Sequence, residues 1–107
     1  MTNIDKHFYL IELFDLYKGL LTNKQCDYFK ASYFLDKTLS EIADENNVSR
    51  TAVCNAIKNI ELELNNYEKI LNLYKKRENR LKLYNLISDL DIKNKLISME
   101  ENEKYEK

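Results

Sequence analysis

The chain contains no proline and a single glycine, Gly19, in its 107 residues. Tight β-hairpin turns therefore have almost nothing to build on, while long helices run without a built-in break. An all-α fold follows. Cysteine is nearly as scarce: Cys26 and Cys54 lie far apart and form no C-x-x-C pair, which argues against a zinc or redox site and for reduced thiols. The one histidine, His7, has no partner at a ligand spacing, so it reads as a surface or boundary side chain. No metal or cofactor is expected. There is no glycine-rich phosphate loop and no Ser-His-Asp or Cys-His set at a workable spacing, so an enzyme is the least supported class. No run approaches the length of a membrane span, and MTNIDKHFYL lacks the basic-then-apolar order of a signal peptide. The expected location is the cytoplasm, with no membrane partner.

What is present is 44% apolar side chains, with eight tyrosines and four phenylalanines, enough for one modest core. The most informative stretch is TLSEIADENNVSRTAVCNAIK, residues 38–58. Thr38 and Glu41 have the spacing of a capping box, in which hydroxyl and carboxylate satisfy the orphan backbone donors of a helix start. Leu39, Ile42 and Ala43 then give a short buried stripe that halts at Asn46 and Asn47, residues tolerant of left-handed backbone. Val48 re-enters the core, Ser49 caps a second helix, and Val53, Ala56 and Ile57 give that helix its inner face. This is a helix-turn-helix.

Earlier in the chain, residues 4–18 predict a helix with Phe8, Ile11, Phe14 and Leu16 on its apolar face and Gly19 at its C-terminal cap. Thr22 and Gln25 form a further capping box, followed by Cys26, Phe29, Tyr33 and Phe34 at helical spacing. That aromatic stripe reads as core in preference to a stacking surface for single-stranded nucleic acid. Beyond Ile57, the positions Ile60, Leu64, Tyr67, Leu71 and Tyr74 continue in heptad steps, with either a rod or a bend at Asn65 and Asn66. Leu81, Tyr84, Leu86, Ile87 and Leu90 resume the pattern. Asp89 or Asp91 caps a last short helix through Met99, and EENEKYEK is expected to fray. The expected organisation is a helical bundle over residues 1–66 and a helical C-terminal extension over 67–107, which packs on the bundle or on a second subunit. One core should hold Ile11, Phe14, Phe29, Phe34, Ile42, Val53 and Ile57.

The candidate nucleic-acid-binding residues are Ser49, Arg50, Thr51, Asn55, Lys58 and Asn59, which lie on the outer face and leading end of the second motif helix. A solvated polar face is the alternative reading. Lys75, Lys76, Arg77 and Arg80 make a basic run that could hold phosphate or simply stay hydrated. Charge weighs against tight binding: the net charge is −1, Glu41, Asp44 and Glu45 crowd the first motif helix, and Glu61 and Glu63 follow the reading face. A homodimer would double the contacts.

The run LLTNKQCDYFKASYFLDKTLSEIADENNVSRTAVCNAIKNIELELNNYEKIL, together with the upstream LIELFDLYKGLLT, resembles the YlxM-type helix-turn-helix proteins of bacteria, themselves similar to region 4 of primary sigma factors. The resemblance implies an all-α, sigma-region-4-like helix-turn-helix bundle that binds DNA as a regulator, with RNA as a further candidate. Genes of that family neighbour those of the signal recognition particle, so an accessory part in that pathway, with its components as partners, is also implied. Asn47 stands where the family usually has glycine, a tolerable change because asparagine accepts positive φ.

Overall fold

The computed structural model describes residues 2–105, with side chains described as far as Glu101. Among them are six α-helices and no strand: α1 (Asn3–Tyr17), α2 (Asn23–Tyr33), α3 (Leu39–Asn46), α4 (Arg50–Leu71), α5 (Leu73–Tyr84) and α6 (Leu90–Tyr105), with a 3-10 turn at Lys18–Leu20. Each of the first three helices opens on a full capping box, Thr2 with Asp5, Thr22 with Gln25, and Thr38 with Glu41. In the last, the Glu41 N–H donates to the Thr38 hydroxyl and the Thr38 N–H donates to the Glu41 carboxylate, both at 3.1 Å. These local pairs set where helices start, independently of the core.

The core is built around α4, against which α1, α2 and α3 pack. Phe14, Phe29, Ile42, Val53 and Ile57 are buried with Leu10, Leu13, Tyr17, Tyr28, Ala43, Ile60 and Leu64. Ile11 is half-buried at the edge. Phe34 is corrected to the rim: it is 46% exposed and meets Phe14 and Phe29 edge-on, because α2 ends at Tyr33 and the chain turns outward there. Phe8 is exposed too, since the inner face of α1 is Leu10, Leu13, Phe14 and Tyr17, rotated from the expected stripe. Four rings stack through this layer: His7 on Tyr33 at 4.7 Å, Tyr33 on Phe29 at 4.1 Å, and Phe29 on Phe14 at 4.3 Å. The α1–α2 contact is largely aromatic.

Two backbone expectations need correction. Gly19 does not cap α1 in a left-handed conformation; it sits within the 3-10 turn, which closes through the Leu21 N–H to the Lys18 carbonyl at 3.1 Å. Val48 does not plug the core but remains 37% exposed, while its N–H bonds the Ala43 carbonyl at 3.1 Å. The closeness of the two motif helices comes from Ala43, which is buried, and not from Val48.

The helix α4 runs through Asn65 and Asn66 as a rod, with the Asn65 amide bonded back to the Glu61 carbonyl at 3.0 Å. It ends at Asn72, where φ is 56°. The division expected between residues 66 and 67 falls inside this helix. Beyond it, α5 and α6 pack on each other and on α1, giving a molecule 54 × 25 × 22 Å in extent. Asp89 caps α6 by accepting from the N–H groups of Asp91 and Ile92. This helix continues past Met99 to Tyr105, so the tail stays helical there, and residues 106–107 lie outside the described residues.

Candidate nucleic-acid interface

The motif is α3, a turn through Asn47 and Val48, and α4. Asn47 takes the left-handed conformation, φ 56° and ψ 43°, and its N–H reaches the Ala43 and Asp44 carbonyls. The chain then reverses into Ser49, whose Oγ accepts from the Ala52 N–H at 3.0 Å and starts α4. Val53, Ile57, Ile60 and Leu64 anchor the inner side of α4. With that side buried, helical periodicity turns Thr51, Asn55 and Lys58 outward, and the same face continues through Leu62, Asn66 and Lys69. All six candidate residues, Ser49, Arg50, Thr51, Asn55, Lys58 and Asn59, are exposed.

The electrostatics of this helix differ from what its composition suggests. Glu61 lies on one flank and accepts from the Tyr33 hydroxyl at 2.5 Å. Glu63 lies on the other and accepts from the Gln25 amide at 3.0 Å. Glu68 is buried. Every carboxylate of α4 is thus held by the protein's own donors, and none occupies the outward face. Arg50, Lys58 and Lys69 enter none of the ion pairs among the described residues. Burial, with the Glu61 hydrogen bond second, pushes the Tyr33 hydroxyl far above its usual range, so it stays a donor. On α3, Lys37 pairs with Glu45 at 2.8 Å, and Glu41 is turned onto its own helix start. The backbone N–H of Thr38 is the main reason the Glu41 carboxyl is held below its ordinary value.

The basic run divides in two. Lys75 and Lys76 are exposed. Arg77 is buried: its Nη2 meets Glu12 at 2.7 Å, and the guanidinium lies 5.7 Å from the centre of the Tyr74 ring. Arg80 forks onto Glu100 at 2.6 and 3.0 Å, and the Tyr84 hydroxyl donates to the same carboxylate at 3.2 Å. The Arg80 hydrogen bond is the leading cause that keeps the Glu100 carboxyl below its usual value. The two arginines join α5 to α1 and α6, whereas the two lysines face solvent. His7 is taken up in the ring stack, and no group of three or more His, Cys, Asp or Glu among the described residues is placed to hold a metal ion.

A helix-turn-helix with this sequence matches a known family model over residues 4–104, the UPF0122 family, described as "Putative helix-turn-helix protein, YlxM / p13 like". The chain belongs to that family. It is 44% identical over 96 residues to a UPF0122 protein of Ureaplasma urealyticum serovar 10, covering 90% of this chain and 97% of that one. A UPF0122 protein of Mycoplasma pneumoniae is 37% identical over 98 residues, 92% of this chain and 96% of the relative. UPF0122 protein YlxM of Bacillus subtilis is 45% identical over 78 residues, 73% and 71% of the two chains.

In this family member, sequence reasoning missed Glu68 and Tyr17. Leu73 N–H donates to the Tyr17 hydroxyl at 3.1 Å, and that hydroxyl donates to Glu68 Oε1 at 2.6 Å. Glu68 also accepts from the Tyr74 and Lys75 N–H groups at 3.0 and 3.2 Å. Asn72 makes no side-chain cap, so a carboxylate of α4 and a phenol of α1 satisfy the open donors of α5. Burial, and then the bond to Glu68, pushes the Tyr17 hydroxyl up to about 12. The signal was a carboxylate one turn after Leu64 on the apolar stripe, where a buried charge requires partners.

Proposed function

We propose that this protein binds duplex DNA as a non-enzymatic helix-turn-helix regulator, with the leading half of α4 as its reading element. The observation that carries this reading is the outward face of α4, which holds Lys58 and Lys69 with Arg50 exposed at its leading end, all three in no ion pair among the described residues, while the carboxylates of the helix are turned aside. That arrangement supplies local positive potential despite the net charge of −1. Arg50, at the first turn, combines a guanidinium with the favourable field of a helix N-terminus. Thr51 and Asn55 can reach base edges, and Lys58 and Lys69 can reach phosphate. Lys75 and Lys76 extend the phosphate-binding set, while Arg77 and Arg80 serve the fold. The setting is cytoplasmic, in keeping with two free cysteines.

The test is selection from a random duplex pool at low salt, followed by titration of the winning site with wild type and Arg50→Ala. Enrichment of a site that Arg50→Ala no longer prefers supports the reading. No retained duplex, or a silent Arg50→Ala, overturns it.

One observation favours a second reading. Leu62 is 66% exposed in the middle of the outward α4 face, where a protein partner would use it and a phosphate would not. In that reading the same face docks on a protein or ribonucleoprotein surface, with the signal recognition particle components implied by the family resemblance as candidates. Leu62→Asn separates the two, since it should leave duplex affinity intact and weaken capture of a protein partner.

A further inference from the structure

Tyr33 carries a hydroxyl that the packing of its ring does not call for. The ring lies between two others and nearly parallel to both, with His7 at 4.7 Å and Phe29 at 4.1 Å. A phenylalanine would fill that slot as well. What the hydroxyl adds is reach: held by the stack at the end of α2, it donates to Glu61 on α4 at 2.5 Å.

The helix period sets what Glu61 would meet without that donor. Residues three or four apart on a helix are neighbours, with Cβ atoms about 5–6 Å from each other. At those spacings Glu61 has Ile57, Lys58, Leu64 and Asn65, so Lys58 is its one cation. Lys58 in turn has Cys54, Asn55, Glu61 and Leu62, so Glu61 is its one carboxylate. The two are placed to pair, yet Lys58 is exposed and enters no ion pair among the described residues. The carboxylate has gone to the donor on α2 instead. A half-buried hydrogen bond to a charged group outweighs an exposed ion pair along a helix, which explains the choice.

We propose that Tyr33 is a positioning residue for the outward face of α4: its hydroxyl holds Glu61 away from Lys58 and so keeps that lysine available to a ligand. The consequence for duplex binding rests on the reading above, whereas the control of Lys58 does not. Gln25 has no matching role. Glu63, which it holds, has Asn59, Ile60, Asn66 and Tyr67 at the pairing spacings, and none of them is a cation.

The experiment is trace acetylation of the full chain by acetic anhydride, without nucleic acid, read as a rate at each lysine by mass spectrometry. A paired amine is more fully protonated and reacts more slowly. Tyr33→Phe keeps the ring stack and is expected to slow Lys58 about twofold, the effect of one weak exposed pair. Lys69 is the internal control, because Asn65 and Asn66 stand four and three residues before it, and its rate should not move. In a Glu61→Gln background, Tyr33→Phe should leave Lys58 unchanged, which loss of a mere tether between α2 and α4 would not reproduce. In titration of the selected duplex, Tyr33→Phe should weaken binding about twofold, again only where Glu61 is present. An unchanged Lys58 rate in Tyr33→Phe overturns the proposal, and so does a change that persists with Glu61→Gln. A slowed Lys58 with unchanged duplex affinity upholds the role of Tyr33 and removes Lys58 from the duplex reading, so the two failures register in separate measurements.

Discussion

The helix α5 holds more cations than α4, yet a smaller share of them is available to a ligand. In α5, Arg77 is drawn inside against Glu12 and Arg80 is forked onto Glu100, so its arginines stabilise the packing of α1, α5 and α6. In α4 the reverse holds: the carboxylates are occupied by Tyr33, Gln25 and Tyr17, and the cations are left outside. By count α5 leads, yet each helix leaves three cations exposed and outside the ion pairs among the described residues, Lys75, Lys76 and Lys82 on α5 and Arg50, Lys58 and Lys69 on α4. Charge is useful to a polyanion only where the protein has not already neutralised it.

The largest effect that sharpens this contrast is expected from Glu68→Ala. It removes the acceptor for two backbone donors at the start of α5 and leaves the Tyr17 hydroxyl buried without its acceptor. Loss of a helix cap together with an orphaned buried donor should cost about 3 kcal/mol in urea or thermal unfolding. Arg77→Ala comes next. Removing one member of a fully buried pair costs several kcal/mol, but the Glu12 side chain is 31% exposed, so about 2 kcal/mol is expected here. If α5 is structural in its arginines, the folded Arg77 variant should keep wild-type duplex affinity.

Arg50→Ala should show the opposite pattern, with no change in melting temperature. In a duplex titration it should lose about 2 kcal/mol if the guanidinium forks onto a guanine, and less if it touches phosphate only. A smaller change is expected from Lys75→Gln with Lys76→Gln. These two should reduce the salt slope of binding by roughly one to two units without altering sequence preference. An unchanged slope would show that the exposed half of the α5 run stays hydrated in the complex.

The smallest effect is a pH dependence. Glu100 is held below its ordinary value of 4.5, chiefly by Arg80, so its native state binds protons less readily than the unfolded chain. The stability it contributes is fully present above that ordinary value and is lost as pH falls through the depressed native one. The partner Arg80 is 43% exposed, which screens the pair and keeps the effect small. Stability measured from neutral pH to below 4 should fall less steeply in Glu100→Gln than in wild type.

Much of the fold was legible because its signals are local. Capping boxes at Thr22 and Thr38, the Ser49 cap and the left-handed turn at Asn47 each involve residues within a few positions of one another, and the structure shows them all. Errors arose where a local rule met a longer-range constraint. Phe8 and Phe34 are as apolar as Phe14, but only the packing of α1 and α2 on α4 decides which rings are covered. Asn65 and Asn66 are weak helix formers, yet α4 passes through them because Ile60 and Leu64 on the inner side keep the helix docked. For the candidate site, composition placed Arg50 to Asn59 on a helix, and helical period turned Thr51, Asn55 and Lys58 outward with Arg50 at the leading end. Nothing in the sequence paired Glu61 with Tyr33 or Glu63 with Gln25, partners 28 and 38 residues apart.

The sequence by itself determined where helices begin, where the chain reverses between α3 and α4, and which side of α4 is apolar. Those features depend on backbone donors, left-handed φ and a period of 3.6 residues, all properties of short stretches. Tertiary structure alone decided which charges remain available. A carboxylate's partner is chosen by the distance between helices, and a buried ion must take whatever donor the packing brings to it. Glu68 shows the difference: in sequence it is one more acidic residue on an amphipathic helix, and in the fold it is the cap of the next helix.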